Sequence, residues 1–220
     1  TYTPTLTATV SLKNQYPNIG AGNPTYPPML FGGGIDASTT NPPGNEIFPL
    51  MNTFGTVANG NFTNTATATA GTGIEVAVNR AVGISIYSYP LYTSQSVFTG
   101  RYYMGDITIT FSRPVNNPVI HLVDMGATKT TNYRSSYSSE FDLDLTGSFP
   151  NTITMTRLSG TTNFSLNTTT NQILHSNSAD PAPSTNGSVR FNGNNITVIK
   201  LKTYLRGSSN PQTYTSGAPT

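Results

Sequence analysis

Carboxylates spaced two apart offer the first chemistry in this chain. Glu140, Asp142 and Asp144 alternate with Phe141, Leu143 and Leu145. On an extended backbone the three acids therefore share one face and the apolar side chains the other. Paired acids serve a glycosidase as acid and base across the scissile bond, whereas a row of like charges takes up water or a cation. Calcium gathers roughly six to eight oxygens from carboxylates, Asn side chains and carbonyls. Asp124, Asp142 and Asp144, amid many asparagines, are the candidate Ca2+ ligands. No Asp-x-Asp-x-Asp-Gly loop accompanies them, so a solvated strand face is the competing reading.

Other catalytic signals are weak. The two histidines are His121, in the apolar run Val119 to Val123, and His175, beside a polar loop. The first reads as a hydrogen-bonded strand residue and the second as a solvated loop edge. There is no cysteine, no His-x-x-x-His and no Gly-x-Ser-x-Gly, so neither a zinc site nor a nucleophile elbow is signalled. Gly32-Gly33-Gly34 lacks the strand before and helix after that a phosphate loop needs. The reading is a protein that binds rather than one that catalyses.

Tyrosine supplies the binding chemistry. Tyr89 and Tyr92 flank Pro90, Arg101-Tyr102-Tyr103 follows, and Tyr133, Arg134 and Tyr137 recur among Ser, Thr and Asn. A tyrosine ring is flat and apolar with a polar tip, and Tyr/Ser/Asn/Arg surfaces are adaptable recognition surfaces. Sugar rings suit such a surface, stacking on aromatics and hydrogen-bonding to Asn, Asp and Arg. Tyr89, Tyr92, Arg101, Tyr102, Tyr133, Arg134 and Tyr137 are the expected ligand contacts; the bland alternative is tyrosine packing within a sheet.

These residues must be positioned by strands. Period-two alternation recurs at Leu6 to Leu12, Ile74 to Val78, Val82 to Ile86, Ile107 to Phe111, Phe141 to Leu145, Ile153 to Met155, and Val189 to Phe191. After the turn at Asn192 to Asn195, Lys200, Lys202 and Tyr204 share one phase, and Ile199, Leu201 and Leu205 the other. Alternation between Gly/Pro/Asn/Ser clusters marks half-buried antiparallel strands, and helical periodicity is missing. The row Thr63, Thr65, Thr67, Thr69 reads as one exposed strand face. The expectation is an all-β antiparallel β-sandwich, jelly-roll or lectin-like, with long Pro/Gly-rich loops at Asn14 to Pro49 and Ser176 to Ser188. One domain spans 1–220, folded over about 5–205, with linker-like ends.

Composition sets the context. Of 220 residues, 9% are charged, with 11 Lys and Arg against 9 Asp and Glu scattered singly, where an average soluble domain carries roughly 25%. Nucleic-acid binders cluster positive charge on one face, so no nucleic-acid partner is expected. No apolar run reaches the roughly 18 residues of a membrane span, so no membrane insertion is expected either. Cysteine-free, Thr/Asn/Ser-rich sequence with few charges points to an extracellular protein.

The stretch Gly105 to Gly126, with Phe111-Ser112-Arg113-Pro114-Val115-Asn116-Asn117-Pro118 between two strands, resembles a recurrent segment of large bacterial surface proteins. Gly187 to Gly193 and Asn195 to Tyr204 look like the closing strands of the same modules. Asp124-Met125 departs from that pattern, which has a Gly-rich apolar turn there. The resemblance implies a β-sandwich module of a multidomain, repetitive bacterial cell-surface adhesin, monomeric within a longer chain. Its partner would be a glycan or another host or neighbour-cell surface component. A spacer module and an accessory domain of a polysaccharide-active enzyme remain alternatives. Some wall-anchored modules carry a Lys–Asn crosslink; Lys13 and Lys200 are the lysines to consider, and their spacing lends it no support.

Overall fold

The computed structural model describes residues 5–15, 28–32, 46–55, 57–86, 100–129, 135–177 and 183–207. Among them the chain forms twelve strands and two single-turn 3-10 segments, with no α-helix. The strands are β1 (Ala8–Lys13), β2 (Met29–Phe31), β3 (Ile84–Ile86), β4 (Arg101–Val115), β5 (Val119–Met125), β6 (Ala127–Lys129), β7 (Ser135–Leu143), β8 (Thr154–Gly160), β9 (Phe164–Asn167), β10 (Gln172–His175), β11 (Thr185–Asn192) and β12 (Ile196–Gly207). A seven-stranded sheet runs β1-β4-β12-β7-β10-β9, with β6 also on β7. A second sheet runs β5-β11-β8, and β2 pairs with β3. Every pairing is antiparallel.

Alternation explains the core. Ile107, Phe141, Leu143, Ile199, Leu201 and Leu205 of the large sheet meet Met155, Val189 and Phe191 of the small sheet in one buried cluster. Each such side chain contributes roughly 1.5–3 kcal/mol when fully withdrawn from water. The small sheet is covered on its other face as well. Phe62 and Val123 pack there with Met51, Ile74 and Val76, and the Phe62 ring meets His121 edge-on at 5.6 Å. No helix among the described residues is long and apolar enough to cross a membrane.

Two corners carry the chain between the sheets side by side. Asn117, at φ 50°, and Asn195, at φ 57°, take the left-handed conformation that asparagine tolerates. The corners brace each other: Gly193 N donates to Asn117 Oδ1 at 3.0 Å, Asn195 N to Asn116 Oδ1 at 2.9 Å, and Asn117 N to Gly193 O at 3.0 Å.

Three expectations are corrected. Ile74 to Val78 forms turns rather than a strand. Ile74 and Val76 are buried, but Val76 N donates to Asn59 Oδ1 at 2.9 Å, so a side chain replaces the strand ladder. The threonine row is likewise turn structure, with Thr63 buried and Thr65, Thr67 and Thr69 exposed. The loop expected to run to Ser188 ends earlier, because β11 starts at Thr185 and buries Thr185, Asn186 and Ser188. Asn-Gly-Ser reads as a turn, yet here the Asn186 and Ser188 side chains are hydrogen-bonded inside, while the buried Thr185 hydroxyl has no hydrogen-bond partner among the described residues. Asn186 Oδ1 accepts from Asp124 N at 2.7 Å, and Gly187 leaves room for the Phe164 ring, which any Cβ would strike.

Candidate functional site

The outward face of the large sheet gathers the chain's scarce charge. On β12, the residues out of phase with the core are Lys200, Lys202, Tyr204 and Arg206; β4 adds Arg101, Tyr103 and Asp106, and β7 adds Glu140 and Asp142, with Asp144 just beyond. Arg101, Lys200, Lys202 and Arg206, four of the 11 basic residues, thus gather with Asp106, Glu140, Asp142 and Asp144, four of the 9 acidic ones, and Lys13 on β1 borders them opposite Asp106. A β-bulge makes this possible. Thr203 pairs with Gly105 but Tyr204 pairs with Tyr103, leaving Met104 as the extra residue, fully buried. Gly105 sits at φ 148°. The bulge shifts the phase of β4, so Arg101 and Tyr103 share a face with Asp106 despite their odd spacing.

The geometry is an interlocked ion network. Arg101 Nε donates to Glu140 Oε2 at 2.6 Å, while its Nη2 and Nη1 reach Asp142 Oδ1 and Oδ2 at 2.7 and 3.2 Å. Such bidentate pairing fixes orientation as well as charge. The guanidinium also stacks 4.2 Å over the Tyr204 ring, which meets Tyr103 edge-on at 5.7 Å. Arg206 Nε donates to the fully buried Glu140 at 2.7 Å. Lys200 Nζ sits 3.0 Å from Asp106 Oδ2 and 3.1 Å from Asp144 Oδ2. Asp106 also accepts from Tyr103 Oη at 2.8 Å and Asn14 Nδ2 at 2.6 Å.

Protonation follows from these contacts. Burial alone would push the Asp106 carboxyl up, but donors from Asn14, Lys200 and Tyr103 outweigh it and hold it below its ordinary value. Asp144 behaves alike: hydrogen bonds from Thr146 and Lys200, with the charge of Lys202, overcome burial and bring it to about 2. The bond to Asp106 holds the Lys200 ammonium above its ordinary value against burial. Burial and the Asp106 carboxylate push the Tyr103 phenol up. The network itself joins four basic side chains to four acidic ones.

The expected contact residues distribute unevenly. Arg101 lies on this face, at the start of β4 opposite Arg206. Tyr102 and Tyr137 are half-buried and pack against the main core. Tyr89, Tyr92, Tyr133 and Arg134 lie outside the described residues. The shared face of Glu140, Asp142 and Asp144 is as the spacing requires, but Asp142 and Asp144 meet Arg101 and Lys200 there. Asp124 belongs to β5 in the other sheet, so the three candidate calcium ligands do not converge, and an ion at Asp142 and Asp144 would compete with Arg101 and Lys200. Lys200, a charged ammonium between two carboxylates, is not the neutral amine that a crosslink requires. Tyr103, read with Arg101 as part of a recognition surface, and Asp106, a further carboxylate that could offer oxygen to calcium, instead bond each other here, and Lys202, Tyr204 and Arg206 join them without having been expected at a site. The opposite phases of Lys200, Lys202 and Tyr204 against Ile199, Leu201 and Leu205 were the available signal.

Neither histidine joins this face. His121 Nδ1 lies 2.8 Å from Ser188 Oγ, which also accepts from Thr63 N at 3.0 Å. Burial holds the imidazole below its ordinary pKa. This Ser–His pair cannot serve as a nucleophile, because Ser188 is fully buried. His175, expected at a solvated edge, is buried on β10 between the backbone of Asn177 and the carbonyl of Pro183. A cavity of about 680 Å³ also opens along β5, lined among the described residues mainly by apolar side chains including Val10, Ile84, Ile109, Phe111, Ile120 and Leu122.

No family model, curated protein or solved structure matches this chain.

Proposed function

We propose that this chain is a ligand-binding module of a secreted or cell-surface bacterial adhesin, a jelly-roll or lectin-like sandwich that recognises glycan through the outer face of its large sheet. One observation carries the reading: in a charge-poor chain, four basic side chains, four acidic ones and two tyrosine rings gather on one face of the large sheet. The accessible members, Arg101, Asp142, Lys202 and the Tyr204 ring, offer donors, an acceptor and ring surface held in place by the buried Asp106, Glu140 and Asp144, an arrangement that suits a polyol. Lys202, 44% exposed, and the half-buried Arg101 and Asp142 would make first contact.

The test is a glycan array probed with the wild-type protein and with Asp142→Asn, which keeps the side chain's shape while removing its charge. Expected is retention of at least one glycan class by the wild type and a loss of about tenfold or more in the variant, the order of one charge-assisted hydrogen bond. The same array run with a chelator decides whether Ca2+ contributes. Binding to no glycan, or equal binding by both proteins, would put the spacer reading ahead.

A further inference from the structure

The first and last strands of the fold both pair with β4, on opposite sides of it. Both pairings are antiparallel, so β1 and β12 run parallel to each other. Their registers coincide, since Lys13 and Lys202 both stand opposite Asp106, and Val10 and Ile199 both stand opposite Ile109. The chain enters at the Ala8 end of this trio and leaves β12 at Gly207, at the other end. At roughly 3.3 Å per residue, the stretch of β12 from Val198 to Gly207 places these points about 30 Å apart along the strand direction. A pull applied through the two ends therefore acts along the strands. It slides β1 and β12 past β4 and loads every inter-strand hydrogen bond together, rather than peeling them singly.

The Asp106 side chain spans both sliding planes. It accepts from Asn14, the residue that follows β1, at 2.6 Å, and from Lys200 on β12 at 3.0 Å. Tyr103, on β4 itself, fixes the carboxylate from a third side at 2.8 Å.

We propose that this module is load-bearing, with β1-β4-β12 as a shear clamp and Asp106 as its cross-brace. It deepens the reading as a tethered surface module, which supplies the source of the load. The clamp itself stands on topology alone. The chain contains no cysteine, so paired cysteines can serve as handles for single-molecule force spectroscopy on the full chain. Thr5→Cys with Ser208→Cys pulls in shear; Thr5→Cys with Arg113→Cys pulls the same β1–β4 pair apart from the end where Ser112 N donates to Thr7 O.

Forced unfolding reports the unfolding barrier, and the shear pair should show a peak force at least about twofold above the peeling pair. Asp106→Ala should lower the shear peak and leave the peeling peak unchanged. Should that variant not fold by circular dichroism, Asp106→Asn provides the comparison. Equal peaks in the two geometries would overturn the clamp, and a shear peak insensitive to both substitutions would overturn the brace. An intact shear peak in a protein that binds no glycan would refute the ligand while leaving the clamp in place.

Discussion

Lys200 is the residue on which the polar face turns. Its ammonium separates two carboxylates that would otherwise repel each other, and its stem lies against Gly147, where any Cβ would strike it. Lys200→Met keeps the stem and removes the charge. The expected loss at pH 7 is about 2–3 kcal/mol, below the roughly 3–5 kcal/mol for breaking a fully buried pair, because 21% of the side chain still meets solvent. The pH dependence has a definite sign. Asp106 and Asp144 have folded pKa values below the unfolded value of 3.8, so their contribution is present above about pH 4 and is lost as pH falls through the folded values, about 2 for Asp144. Lys200, raised above 10.5, contributes below that value and loses its contribution as pH rises through its folded pKa. Urea denaturation at pH 7 and pH 2.5 should therefore show the gap between wild type and variant narrowing in acid; a constant gap would contradict the ion pairs.

At the scale of elements, the bulge on β4 decides which residues share the polar face. Gly105→Ala would hold alanine at φ 148°, with its Cβ 3.1 Å from Lys13 O. The expected cost is about 2 kcal/mol, typical of a strained backbone position, measurable as a shift of the denaturation midpoint with unchanged slope. The same bulge marks the limit of what alternation reveals. Ile107, Ile109, Phe111, Ile199, Leu201 and Leu205 were legible as core-facing because each strand there keeps strict period two. Arg101 and Tyr103 were not legible as partners of Asp106, since an extra residue inverts the phase between them and a lone Gly does not announce it. The strand over Ile74 to Val78 failed for another reason: two buried side chains two apart need no ladder when Asn59 supplies the hydrogen bond. Arg101 with Glu140, and Lys200 with Asp144, depend on which strands are neighbours, and strand order leaves no mark in local sequence.

Across the whole molecule, β12 lies between β4 and β7 at the centre of the large sheet and supplies Ile196, Ile199, Leu201 and Leu205 to the core. A chain truncated after Asn195 should therefore fail to form a native core rather than lose an edge. The expected observation is collapse of near-ultraviolet dichroism and of amide dispersion in NMR spectra. Retention of native dispersion by the 195-residue chain would show that β4 and β7 can close on each other directly.

The central place of β12 has a consequence for a chain delivered one end first. Whether it leaves a ribosome or a narrow secretion pore, β4 emerges roughly ninety residues ahead of the strand that must lie beside it. Until then β4 and β7 have no shared partner, and the sheet has a gap through its middle. The order of strands thus acts as a timer, keeping the large sheet open until β12 has passed and can close it.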